Sequence, residues 1–167
     1  RYKGKIAEAA AAIRRGEWPS LSPDAASEIC FLPCTDDAIA ETVVALYDQD
    51  PSKTQILTPR RNSLEGTKSL NALCQRRYTG SAKPLRVFNR QYGQYAETGF
   101  RQGDVVICTR NRWDIGLQNG SLGKILDIHD VPLVVPSSEG DEVGRSLATV
   151  EWDDGECRPL FESLLDD

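Results

Sequence analysis

Apolar residues recur at helical spacing three times in the first half of the chain. Residues 2–15 place Ile6, Ala9, Ala10 and Ile13 on one stripe of an Ala-rich segment that finishes in Arg14, Arg15 and Gly16. Cations suit the negative end of a helix and glycine takes the left-handed stop, so the spacing predicts a helix here. Trp18-Pro19 and Ser22-Pro23 then break the chain, and the short apolar run at 28–32 predicts a buried strand. Thr35 or Asp36 is suited to cap a second helix, in which Ile39, Val43, Leu46 and Tyr47 recur at helical spacing before Pro51 ends it. Gln55-Ile56-Leu57-Thr58, stopped by Pro59, reads as another short strand, and a third helix over 65–77 turns Leu70, Leu73 and Cys74 inward. Strand, helix, strand, helix is the order of a parallel sheet with crossover helices, because parallel strands cannot be joined by a tight hairpin. The expected fold class is therefore α/β, opening on a partial parallel sheet.

Over 84–100 the periodicity lapses, and a polar, aromatic and basic loop is expected; loops of this length in compact domains are commonly functional or mobile. After Gly99 the pattern changes. Segments 104–109, 123–128, 146–152 and 156–160 are β-rich, with Asn119-Gly120 and Asp153-Asp154-Gly155 as tight turns. The stretch 132–144 is rich in Pro, Ser, Gly and acid and predicts a protruding loop. Short strands linked by turns describe a small antiparallel barrel of the SH3-like kind. A boundary near Gly99 then separates a first domain, 1–99, from a second, 100–167.

With 167 residues and 40% apolar content, the chain can bury a core as one ordinary domain or two small ones. It begins at Arg1 and contains no Met, which suggests a piece cut from a longer polypeptide. No apolar run approaches the roughly 20 residues of a bilayer span, and no leader pattern is present, so a cytoplasmic location without a membrane partner is expected. Cys30, Cys34, Cys74, Cys108 and Cys157 are odd in number and spread out, which favours free thiols. Cys30 and Cys34 have only His129 to supply imidazole and no second cysteine pair, so no metal is expected.

The net charge of −5 argues against nucleic acid until it is resolved along the chain. Residues 53–112 hold twelve Lys or Arg against Glu65, Glu97 and Asp104, a local balance of +9; the remainder holds eight against twenty-two, or −14. Tyr78, Phe88, Tyr92, Tyr95 and Phe100 are interleaved with those cations. That composition suits a surface that neutralises phosphates and stacks bases, and equally an exposed basic face over core aromatics.

Three absences bear on enzymology. The sequence has no phosphate-cradling Gly-x-x-x-x-Gly-Lys-Ser/Thr loop, no strand ending in an acidic pair to hold magnesium, and no nucleophile beside a base. Alone, the chain is not expected to hydrolyse ATP. His129, between Asp127 and Asp130, reads as solvated, and Asp153-Asp154 as turn residues. The informative stretch runs from Ile56 to Asn71. It sets Arg60 and Arg61 at the carboxyl end of the expected strand at 55–58, the edge where α/β folds bind ligands. An arginine offered there can stabilise charge on a transferring phosphoryl group; the plain alternative is a basic turn before a helix.

Ile56-Leu57-Thr58-Pro59-Arg60-Arg61-Asn62-Ser63-Leu64-Glu65-Gly66-Thr67-Lys68-Ser69-Leu70-Asn71 resembles the fourth helicase motif of the RecD-like helicases, the exodeoxyribonuclease V alpha-subunit family of superfamily one. Phe100-Arg101-Gln102-Gly103-Asp104-Val105-Val106, then Thr109-Arg110-Asn111, Leu117-Gln118-Asn119-Gly120 and Gly123, resembles the segment leading into that family's SH3-like insertion. Val150-Glu151-Trp152-Asp153-Asp154-Gly155 resembles the insertion's closing strand and turn. The opening helix through Gly16 and Pro19 is similar to the entry into the second motor domain, so the likeness covers nearly the whole chain.

The resemblance implies a partial RecA-like second motor domain carrying an SH3-like insertion, from an ATP-dependent DNA helicase of repair and recombination. ATP and Mg would belong to the intact parent, with none bound to this fragment. Its implied partners are single-stranded DNA, the first motor domain in cis and subunits of a nuclease complex. Arg61 stands where the family's motif arginine faces the nucleotide, with Arg60 at a position that is often apolar, and the choice between them stays open. Asn71 matches a Leu-Asn pair on the helix, as a structural hydrogen-bonder or a DNA contact. Arg110, Asn111, Arg112 and Asn119 are the candidates for single-strand contacts, although Asn119-Gly120 is equally explained as a turn. The rival from another class is a non-enzymatic SH3-like module on an α/β support that binds a peptide or protein.

Overall fold

The computed structural model describes residues 4–24, 26–136 and 143–166, with backbone alone for Pro136 and Val143. Among these, three α-helices and six strands form, and every strand ladder is antiparallel. The chain divides into two compact units, Arg1–Leu70 and Asn71–Asp167.

In the first unit, α1 (Lys5–Arg14) buries Ala9, while Ile6 and Ile13 of the same stripe stay mostly exposed. Gly16, at φ 76°, takes the stop that its sequence position suggests. Helix α2 (Ile39–Tyr47) turns Val44 inward. It begins later than Thr35 or Asp36 would dictate; Ala38 occupies the cap, and the Thr35 carbonyl accepts the Ala38 N–H at 3.0 Å. Helix α3 (Thr67–Tyr78), whose residues from Asn71 onward belong to the second unit, follows the expected third helix and buries Leu70.

The expected RecA-like parallel sheet is not found among the described residues. Residues 55–58 join no ladder, and 28–32 contribute a single parallel bridge, Ser22↔Cys30. A strand is held by a ladder of partners, and a single bridge at Cys30 is all that either segment has among the described residues. Pro33 and Pro59 cut the two runs short by removing donors, and Leu57 is 83% exposed rather than covered by a crossover helix.

The second unit is built from β1 (Pro84–Asn89), β2 (Gln94–Arg101), β3 (Val105–Ile107), β4 (Leu122–Pro136), β5 (Val143–Trp152) and β6 (Cys157–Phe161). Strands β1 and β2 form a hairpin, so the loop expected over 84–100 is a correction: it is a two-stranded sheet spanning the proposed Gly99 boundary. The other four strands pair in the order β3-β4-β5-β6. This sheet is open, and no closed barrel is found among the described residues. Strand β3 has only three paired residues before the chain leaves to form the 108–121 loop, and β3 and β6 are the two edges of the sheet. Strand β4 bends at register shifts between Ile125 and Asp127 and between Ile128 and Leu133. Strand occupies both ends of the stretch expected to loop out at 132–144; its acidic middle, 137–142, lies outside the described residues.

Leu85, Ile125, Ala148 and Val150 are fully buried and pack with Cys108, Leu117, Ile128, Leu147 and Trp152, with Val87 and Phe100 of the hairpin closing over them. Gly123 is required where β4 passes this core: a Cβ there would lie 2.7 Å from Val150 Cγ1 and 2.9 Å from Trp152 Cε3.

The Asp153-Asp154-Gly155 turn forms as its chemistry suggests, with the Trp152 N–H donating to Glu156 O at 3.0 Å and Gly155 at φ 83°. The Arg158 guanidinium donates to both Asp154 oxygens at 3.0 and 2.6 Å. Chiefly through that contact, and then the Glu156 N–H, the Asp154 carboxyl is lowered from 3.8 to about 2. A depressed carboxyl contributes stability above its unfolded value and loses it as pH falls through the folded value. Asp154→Asn should therefore lower the melting temperature at neutral pH, with the gap from the unsubstituted protein closing between pH 4 and pH 2. A gap that ignores pH would assign the effect to something other than the ion pair.

Candidate nucleic-acid interface

The β1–β2 hairpin has two unlike faces because side chains alternate along a strand. Leu85 and Val87 turn toward the core, which sends Arg86 and Phe88 outward, opposite Glu97 and Tyr95 of β2. Phe88 and Tyr95 meet edge to face with ring centroids 5.3 Å apart, yet remain 49% and 60% exposed. Arg86 Nη2 lies 3.2 Å from Glu97 Oε1. At the turn, Asn89 Oδ1 accepts the N–H groups of Gln91 and Tyr92 at 3.0 and 3.3 Å, and Gly93 takes φ 62°. This turn leaves Tyr92 67% exposed at the tip.

The outer face of the hairpin forms one wall of a groove of about 1130 Å³ within the second unit. Lys83, Arg86, Arg90, Arg112 and Arg145 line it, against Asp114, Asp130 and Glu162, and β4, β5 and residues 161–164 supply the rest. Three of the cations are engaged. Lys83 Nζ reaches both Asp130 Oδ1 and the Ile128 carbonyl at 2.6 Å, Arg86 pairs with Glu97, and Arg112 holds Asp114 through Nε at 3.0 Å and Nη2 at 2.8 Å. That bidentate contact with Arg112 depresses the Asp114 carboxyl. Arg90 and Arg145 have no hydrogen-bonding or ionic partner among the described residues and present their full charge to an anion.

The residues singled out from sequence fall into two groups. Arg110, Asn111, Arg112 and Asn119 come together in the 108–121 loop. Asn111 Oδ1 accepts the Asn119 N–H at 2.9 Å, Arg112 bridges to Leu117, and Gly120, at φ 99°, donates its N–H to Cys108 O at 2.8 Å. Arg110, Asn111 and Asn119 are exposed, and of the four only Arg112 lines the groove. Arg60 and Arg61 belong to the first unit, both exposed in the turn before α3. Asn71 is exposed on α3 rather than buried.

Phe88 and Tyr95 are among the interleaved aromatics that the sequence marks for base stacking, whereas Lys83, Arg86, Arg90 and Arg145 are not singled out there. Lys83, Arg86 and Arg90 lie in the same basic, aromatic stretch whose composition points to nucleic acid; Arg145 lies outside it and reaches the groove through the β4–β5 ladder, where it pairs with Val134. His129 also differs from expectation. Its side chain is 10% exposed, 3.4 Å from Asp127 Oδ2 and 3.5 Å from the Thr149 hydroxyl of β5. Among the described residues no three His, Cys, Asp or Glu side chains converge as metal ligands, and no helix is long and apolar enough to cross a membrane. No protein-family model matches the chain, and no curated protein matches it.

Proposed function

We propose that this chain is the strand-handling part of an ATP-dependent DNA helicase or translocase of the RecD-like kind, with its second unit as the SH3-like insertion. The observation that carries this reading is the groove of the second unit, where five cations and the Phe88–Tyr95 pair line one channel. Phosphates are held by Lys and Arg and unpaired bases by aromatic faces, and a groove offering both suits a single strand rather than a duplex. The chain has no phosphate loop of its own, so ATP and Mg would bind chiefly to a first motor domain elsewhere in the polypeptide. Arg61 would reach that nucleotide from the second side of the motor, and cytoplasmic DNA repair is the setting this implies.

The second unit carries eleven Lys or Arg against fifteen Asp or Glu, so attraction to DNA must come from the groove rather than from a global field. Salt dependence measures this directly. A single-stranded thymidine oligonucleotide should bind with a slope of log association constant against log salt between about −1.4 and about −3.5, for two to five neutralised phosphates at ~0.7 each. A flat salt response, or no binding at low salt, would remove the groove from any DNA track.

A peptide-binding module is the second reading, favoured by Val131, Leu133 and Val134 of β4, which are 74%, 51% and 68% exposed. Apolar capture of a peptide would respond little to salt.

A further inference from the structure

We infer that the outer face of the β1–β2 hairpin is a base-stacking platform: Phe88 and Tyr95 take the faces of unpaired bases, while Arg90 and Arg145 of the same groove take the phosphates. This rests on the strand-handling reading and adds to it that the bases, and not the backbone alone, are gripped.

The hairpin already has a core-facing side. Leu85 is 1% exposed and Val87 packs beside it, so the apolar demand of this two-stranded sheet is met by that face. The other face of such a hairpin is ordinarily polar. Here it carries two aromatic rings directly opposite each other in register, and about half of each is open to water. Their edge-to-face contact fixes both rings in place, 66° between planes, so little side-chain freedom remains to be lost when a base stacks. The Asn89 side chain holds the turn, which keeps Arg90 on the groove and Tyr92 exposed at the tip. Arg86 is held in the plane of the platform by Glu97, leaving Arg90 and Arg145 as the cations free to meet phosphate oxygens.

Stacking is tolerant of sequence, since every base has a π-face, and the platform offers no set of convergent donors that would read a base edge. It makes no use of the 2′-hydroxyl, so DNA and RNA single strands should bind alike at this site even where the motor is selective.

The test compares a single-stranded thymidine oligonucleotide with an abasic deoxyribose-phosphate oligomer of the same length, measured by fluorescence anisotropy on the 167-residue chain. The abasic oligomer should bind at least about fivefold more weakly. Phe88→Ala and Tyr95→Ala should each weaken the base-bearing ligand by about fivefold or more and narrow its advantage over the abasic one. Phe88→Leu, which keeps apolar bulk without a π-face, should behave like the alanine variant, and Phe88→Trp should restore binding. Arg90→Gln should weaken both oligomers alike.

Equal binding of the two oligomers, or base-bearing binding that survives both alanine variants, would overturn the platform while leaving the charged groove standing. Failure of both oligomers to bind would overturn the platform and the charged groove together. Loss of binding to a proline-rich peptide in the same variants, without loss of oligonucleotide binding, would assign the rings to a protein ligand instead.

Discussion

Asp104→Ala should lower the stability of the second unit by about 2–4 kcal/mol, a fall of roughly 10–30 °C in melting temperature. The Asp104 carboxylate is the acceptor on which three separate pieces of chain converge. Its Oδ2 receives the Arg101 N–H at 2.7 Å and the Gln75 side-chain amide at 2.6 Å, and its Oδ1 receives the Thr79 hydroxyl. Gln75 and Thr79 lie on and just beyond α3, and Arg101 ends β2, so one carboxylate ties helix, hairpin and β3 together. The main chain depends on the same place: Gly103, at φ 88°, donates its N–H to Ile125 O at 2.8 Å, and a Cβ there would crowd Thr79 Cγ2 at 3.2 Å.

Truncation leaves these donors partly buried without their acceptor. Each orphan costs about 1–3 kcal/mol, less than additively because Gln75 still donates to the Gly99 carbonyl at 2.7 Å. Asp104→Asn keeps the size but turns an NH2 toward a donor, and should fall between the two, at about 1–2 kcal/mol. Urea unfolding with an unchanged m-value is the measurement. A loss under ~0.5 kcal/mol for the alanine variant would mean that water serves these donors as well as the carboxylate does.

That cluster also explains what could be read from sequence. Gly103-Asp104, Asn119-Gly120 and Asp153-Asp154-Gly155 are legible because turn chemistry is local: positive φ and a side chain that bonds nearby backbone are written in two or three residues. The parallel sheet was misread because its evidence was the order of elements. Order says nothing about whether 28–32 and 55–58 find partners, and the prolines behind them argue that they do not. The β1–β2 hairpin was hidden by its own outer face. Leu85 and Val87 alternate correctly with Arg86, but Phe88 and Tyr95 stand where polar residues belong, so the period of two is obscured at the site that breaks the rule. Arg145 could not have been found at all, since its place in the groove depends on the β4–β5 pairing, whose register shifts between Ile128 and Leu133.

Arg60 and Arg61, between which the resemblance favours Arg61 by position and leaves the choice open, differ in their surroundings. Arg60 spends its guanidinium on Glu65, with Nη1 2.9 Å from Oε1, five residues along and outside helical pairing distance in sequence. Arg61 has no side-chain partner among the described residues. Its backbone is nevertheless fixed: Lys68 N–H donates to the Arg61 carbonyl at 3.2 Å and Thr67 N–H to the Arg60 carbonyl at 3.0 Å, so the turn is seated on the start of α3. Gly66 makes this closure possible, because a Cβ there would lie 2.8 Å from the Arg61 carbonyl carbon and oxygen. A rigid backbone carrying an unengaged guanidinium is what an arginine acting on a distant phosphoryl group requires.

In the ATP-hydrolysing protein proposed above, Arg61→Ala should cut DNA-stimulated turnover by about 10³-fold or more. Arg60→Ala should change it by less than about tenfold, since the Arg60 guanidinium is already engaged by Glu65 in an exposed, solvent-screened pair. Arg61→Lys should recover only part of the loss, because an ammonium keeps the charge without the planar fork. Both arginines are exposed, so all three variants should melt within ~0.5 kcal/mol of the unsubstituted protein, which separates a lost contact from lost folding. Steady-state ATP turnover with saturating single-stranded DNA decides the matter. Turnover within threefold of normal in Arg61→Ala would return this turn to a purely structural role at the head of α3, whatever the groove of the second unit binds.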